Sequence, residues 1–305
     1  MKKFAFAAIA ALALSTAPAF AADLPVKAKP AAAPPTPTWD IAFGGVVMSD
    51  YNFRGVSQSN RGPSGGAYFE PQYNSPIGQF YAGIGAVAID WPTAYGFTSP
   101  SAEIDLYGGW RYTFFEKLQV DLGAIYYYYP KETFNGFTAQ SDFVEIYGKF
   151  LYNVTSDLTL GWNIFYTPDL LHYSTTFAAI GLNNHPDGVY TSGTFKWVTP
   201  WKWADVGSFF SGELGHWFIE KGAFVSAAAI AAGMPGVDPS YTYWNAGLAF
   251  TYKTLTLDLR YHGTDQSVQD CANFLLVSVP NKSNNWCDDR FVVSLKFDTT
   301  VAVGH

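Results

Sequence analysis

Beyond its first 21 residues, this 305-residue chain has no run of eighteen apolar residues. That excludes a transmembrane helix in the remainder. Charge is scarce too: Asp, Glu, Lys and Arg make up 14% of the chain, against about 25% in soluble domains. Bases are outnumbered, 18 Lys and Arg against 25 Asp and Glu, which argues against nucleic acid as a partner. There are only two cysteines, Cys271 and Cys287, too few thiols to make a metal site. His185, His216 and His262 lack metal-ligand spacing. No phosphate-cradling glycine loop is present, so no cofactor is expected.

The chain is rich in aromatic residues, at 18%, and in alternation. From Trp39 to Arg54 the odd positions are Trp, Ile, Phe, Gly, Val, Ser, Tyr and Phe; the even ones include Asp40, Asp50 and Arg54. A period of two puts the two sets on opposite faces of a strand. Few charges, many aromatics and no long apolar run suit a transmembrane β-barrel, in which lumen-facing residues dilute the lipid-facing ones.

The start of the chain agrees. Lys2 and Lys3, an apolar stretch from Phe4 to Leu14, and Ala19-Phe20-Ala21 form the three parts of a cleavable signal peptide over 1–21. Its removal takes two lysines and no acid, moving the formal charge from −7 to −9. In an exported chain an even cysteine pair reads as a disulfide. Cys271 and Cys287 are sixteen positions apart, and closing such a loop contributes roughly 3 kcal/mol. Residues 22–38 carry five prolines among alanines and lysines and read as an extended periplasmic linker.

Twelve strands are expected, at 39–54, 65–73, 79–91, 102–113, 117–129, 142–153, 157–168, 188–198, 206–219, 240–253, 255–265 and 288–297. An even number suits a single-chain bacterial barrel. Connections alternate between short ones, such as Phe114-Phe115-Glu116, and long ones, such as 169–187 and 266–287. That asymmetry marks tight periplasmic turns and longer external loops. Aromatics gather at expected strand ends. Trp91, Tyr126 to Tyr129, Trp217 and Phe218 lie at external ends, and Phe114, Phe115, Tyr152, Trp197, Trp201 and Trp203 at periplasmic ends. Two aromatic girdles are the expectation.

Several segments resemble a known family. Phe53-Arg54-Gly55-Val56-Ser57-Gln58-Ser59, with Gly62-Pro63 and Gly65-Gly66 following, resembles the signature of the TorF family of porins. So do Glu103 to Gly109, Asp121-Leu122-Gly123 with Tyr126 to Pro130, Val144 to Tyr147, and Tyr243 to Gly247 through Leu257. The resemblance implies an outer-membrane barrel with a channel role. The end of the chain departs from the usual pattern. Phe291 to Phe297 looks like a terminal strand signal, yet Asp298 to His305 follow. The expectation is a barrel over 39–297 and a tail over 298–305.

A charge facing lipid at mid-bilayer is costly, so the charged faces should look inward. The expected lumen-lining set is Asp40, Asp50, Arg54, Glu70, Glu103, Asp105, Arg111, Asp121, Glu145, Lys149, Glu213, Asp258, Arg260, Arg290 and Lys296, with Lys196 alongside. Its slight excess of acids implies a weak cation preference. Arg54 to Gly62 is expected to be the first external loop, suited to folding tightly or inward. The alanine-rich Gly222 to Gly233, followed by Met234-Pro235, suits a short helix in an external loop.

The expected function is passive diffusion of small hydrophilic solutes or ions across the bacterial outer membrane, without catalysis. The expected partners are outer-membrane lipid and lipopolysaccharide, the barrel-assembly machinery, the solutes and, in an oligomer, further copies. A plugged structural or surface-binding barrel is the alternative. A lipid hydrolase built on His172-Tyr173-Ser174 comes third, because the asparagine and glycine expected after the serine are replaced by Thr175-Thr176.

Overall fold

The computed structural model describes residues 38–91, 97–98, 100–134, 137–138, 141–172, 186–220, 239–274 and 286–303. The signal peptide, the linker up to residue 37, the alanine-rich segment, and Tyr173, Ser174 and His185 lie outside them.

Twelve long strands form a closed barrel. They are β1 Trp39–Met48, β2 Ser64–Ser75, β3 Gly78–Ala88, β4 Ala102–Phe114, β5 Leu118–Tyr128 and β6 Phe143–Asn153. The circuit continues with β7 Leu158–Thr167, β8 Gly188–Val198, β9 Gly207–Ile219, β10 Tyr241–Tyr252, β11 Leu255–Thr264 and β12 Arg290–Val303. Each pairs antiparallel with its chain neighbour, and β1 closes the circuit on β12. Closure leaves no exposed strand edge. Short turns gather at one end and long loops at the other.

The strands follow the expected limits closely, with two corrections. β1 stops at Met48 rather than at 54. Beyond it, Asn52–Phe53 pairs with Val56–Ser57 as a small hairpin. Arg54 and Gly55 adopt left-handed φ values of 47° and 88°, which reverse the chain as a two-residue turn does. Extended residues before the turn preserved the period of two, so alternation alone hid the break. The second correction is at the other end. The expected tail is strand as far as Val303, and residues 298–303 pair with Trp39–Gly44. Asp298 resembled an end because it is charged. It faces the interior, where Tyr68 Oη donates to its Oδ1 at 3.2 Å.

Side chains alternate in and out along each strand. In β9, Phe210, Leu214 and Phe218 are exposed, while Ser211, Glu213 and Trp217 are buried. The same outward face carries Ile84, Leu106, Leu122, Ile146, Leu160 and Leu257. Parity also divides the expected external girdle. Tyr126, Tyr128 and Phe218 point outward, but Tyr127, Tyr129 and Trp217 are buried inside. Trp91 packs on Tyr129 with ring centroids 4.5 Å apart. At the short-turn end Phe115, Tyr152, Trp197, Trp201 and Trp203 are all exposed.

Inward glycines make room for inward tyrosines. A Cβ on Gly215 would overlap Tyr190, and one on Gly123 would overlap Tyr147. The rings therefore lie flat against the wall on diagonal neighbours.

Candidate functional site

The candidate site is the barrel interior, and its two halves differ. The half towards the long loops is filled. The hairpin at 52–57 folds into it, with Phe53, Arg54 and Val56 buried. Polar anchors hold its base. Asp50 Oδ1 accepts from Ser57 Oγ at 2.6 Å and Ser59 Oγ at 2.9 Å, and the Tyr51 N–H donates to Ser59 Oγ at 2.8 Å. Arg290 Nε, on β12, donates to Asp50 Oδ2 at 3.2 Å.

Arg54, at the hairpin tip, crosses the lumen to Glu145 on β6. Its two terminal nitrogens meet the two carboxylate oxygens at 2.8 Å each. Both side chains are almost wholly excluded from water. Four rings surround the guanidinium: Tyr190 at 4.2 Å, Trp217 at 4.4 Å, Phe53 at 4.8 Å and Phe165 at 5.0 Å. Tyr127 Oη also donates to Glu145, at 3.0 Å. Charge-assisted, bidentate and ring-enclosed, this is a strong and specific pairing. Removing either partner would strand a buried charge.

Two carboxylates lie near this plug on β4. Glu103 accepts hydrogen bonds from Tyr51 Oη and Tyr129 Oη, both at 2.7 Å. Asp105 is fully buried, and neither of its carboxylate oxygens has a hydrogen-bond partner among the described residues.

The half towards the short turns carries a second network. Arg111 on β4 reaches Glu70 on β2 at 2.8 Å and Asp121 on β5 at 2.9 Å. Tyr81 Oη donates to Asp121 Oδ1 at 2.5 Å. Around the wall, Arg260 pairs with Asp258 at 3.0 Å and donates to Ser211 Oγ at 2.7 Å. Glu213 accepts from Tyr190 Oη at 2.8 Å and Asn245 Nδ2 at 3.2 Å. Lys196 Nζ lies 3.9 Å from the Phe209 ring centroid, and Asp40 accepts from Asn74 at 2.7 Å. Lys296 stands opposite Thr256 on the neighbouring strand.

The structure thus gathers Arg54 with Glu145, Arg111 with Glu70 and Asp121, Arg260 with Asp258, and Arg290 with Asp50. Among the described residues it brings no cation to Glu103 or Asp105. Sequence reading missed the rings that enclose Arg54. The parity of Phe165, Tyr190 and Trp217 was the available signal, since each shares the inward face of a charged or polar neighbour two positions away.

The disulfide is formed. Cys271 and Cys287 are joined, with Cα atoms 5.9 Å apart. Beside it, the Trp286 carbonyl accepts the Ser57 N–H at 2.8 Å, and Trp286 Nε1 donates to Asn60 Oδ1 at 2.9 Å. The bridge therefore tethers a segment that caps the hairpin. A Cys271→Ser variant should lose roughly 3 kcal/mol of loop constraint and become open to protease around residue 286. Digestion of membrane-inserted protein checks this, and unchanged protection would mean that Trp286 is held without the bridge.

No curated protein sequence matches the chain. Among solved structures, the NanC porin is 11% identical with a TM-score of 0.47, over 85% of this chain and 98% of that one. The COG4313 outer membrane channel from Pseudomonas putida F1 is 8% identical with a TM-score of 0.46, over 90% and 100%. LpxR from Salmonella typhimurium is 8% identical with a TM-score of 0.38, over 84% and 99%. Likeness at this level says nothing about what this chain does. A family model described as "Bacterial protein of unknown function (Gcw_chp)" matches residues 29–193, more than half of the sequence, and the chain belongs to that family.

Proposed function

We propose that the protein is an outer-membrane channel for passive passage of small hydrophilic solutes or ions, throttled by its own first long loop. The observation that carries this reading is the contrast between the two faces of the closed wall. The outward face is apolar; the inward face of the short-turn half is charged and still reaches water at Arg111 and Arg260. Such a wall can replace part of a solute's hydration, and no catalytic residue is needed. The resemblance of Phe53 to Ser59 to TorF porins supports the same reading. With it come export by the signal peptide, a periplasmic linker, and contact with outer-membrane lipid, lipopolysaccharide and the assembly machinery. Long loops then face the exterior, and both ends of the barrel chain face the periplasm.

The buried Arg54–Glu145 pair favours a second reading, a permanently plugged barrel. Planar-bilayer recording of the purified full chain separates the two. Small, reproducible conductance steps support the channel; silence, both in the wild type and in a variant with the plug released, supports the plug.

The membrane reading has its own test. Leu214 lies outward near the middle of β9. Leu214→Arg should lower unfolding free energy in lipid vesicles by about 2–4 kcal/mol. A denaturant titration read by electrophoretic mobility measures it, and a neutral result would place that face in water.

A further inference from the structure

We propose that the interior favours small anions, and that Lys149 determines the preference. This rests on the channel reading above. By count, acids exceed bases in the lumen set, which implied a weak cation preference. What a solute meets is the charge that faces water. In the pairs that reach water the base is the more exposed partner: Arg111 is 11% exposed against 0% for Glu70 and 7% for Asp121, Arg260 12% against 4% for Asp258, and Arg290 23% against 1% for Asp50. The carboxylates lie against the wall as anchors, and the guanidinium groups lie over them.

Lys149 goes further, because it has no anchor at all. Its neighbour across the β5–β6 ladder is Asp121. That carboxylate is already taken, one oxygen by Arg111 and the other by Tyr81. Glu145, two residues away on the same inward face, is taken by Arg54. Among the described residues, no carboxylate pairs with Lys149. Its ammonium instead lies 4.4 Å from the Tyr147 ring centroid and 5.5 Å from that of Phe165. Rings stabilise a cation without neutralising it.

Its position matters as much as its charge. Phe165 has Arg54 at 5.0 Å and Lys149 at 5.5 Å from its ring. Lys149 therefore lies beside the plug, where the filled half meets the charged half. A fixed positive charge at a narrowing raises the local concentration of anions. The opposing feature is Asp105, whose carboxylate is also unpartnered, but it is sealed in the filled half and faces no water. The solute class is small anions, inorganic or carboxylate-bearing.

Zero-current potentials of the full chain in a potassium chloride gradient test this. The wild type should prefer chloride. Lys149→Gln should lower the chloride-to-potassium permeability ratio by about fivefold, the effect of one unit charge at roughly 4 Å in water. Lys149→Arg should keep the preference, which shows that charge rather than folding is being read. A cation-selective wild type, or a ratio unchanged in Lys149→Gln, overturns the anion assignment and leaves the channel standing. Absence of current in both the wild type and Arg54→Ala overturns the channel reading, and the anion assignment falls with it.

Discussion

Arg54→Ala is expected to raise single-channel conductance several-fold and to move selectivity towards cations. The tip of the 52–57 hairpin is held by one residue. Its guanidinium forms both bonds to Glu145 and fills the space between four rings. Without it, Glu145 is a buried carboxylate supported only by the Tyr127 hydroxyl. Stranding one partner of a buried pair costs about 3–5 kcal/mol, while small hairpins have little stability of their own. The hairpin should leave, water should enter, and Glu145, Glu103 and Asp105 should then line the opened half. Arg54→Lys keeps the charge but loses the planar fork, so an intermediate conductance is expected. Bilayer recording at fixed salt measures both variants. If Arg54→Ala conducts like the wild type, the hairpin is not the obstacle.

Truncation after Phe297 is expected to abolish the closed barrel. The removed residues include the partners of Trp39–Gly44, which form the seam between the first strand and the last. β1 would still pair with β2 on its other side, but its second edge would present unpaired N–H and C=O groups over half its length. In lipid each such group costs several kcal/mol, because no water can satisfy it. The truncated chain should therefore lose the heat-dependent electrophoretic shift of a folded barrel and fail to insert into vesicles. Deleting only 304–305, which lie beyond the last paired residue, should change neither. A truncated chain that shifts and inserts normally would mean that the barrel closes without the terminal half of β12.

Both experiments bear on places where the linear pattern was weakest. The strands themselves were legible because a wall with two different environments imposes a strict period of two. β8 spans 188–198 as expected, and β4, β9 and β11 place their charges on the expected face. The disulfide was legible because two cysteines in an exported chain have one pairing available. The end of β1 was not, because Asn52, Phe53, Val56 and Ser57 are extended on both sides of the reversal and keep the alternation intact. The end of β12 was not, because an inward Asp298 is locally the same as a charged residue in a tail; only the six residues of β1 waiting across the seam give it a place.

The interior divides the same way. Which residues point inward is a property of each strand alone, so sequence settled it for Glu70, Arg111, Asp121, Lys149 and Glu213. Which charges cancel depends on distances between strands far apart in the chain. Arg54 and Glu145 are 91 positions apart, and Arg290 and Asp50 are 240 apart. Sequence by itself determined an exported-type chain of alternating strands with charge on one face. Only the closed barrel decided that the first loop turns inward, that acids become anchors, and that Lys149 is left without one. The physical reason is that periodicity is a local constraint of backbone geometry, whereas ion pairing is set by where closure brings distant strands.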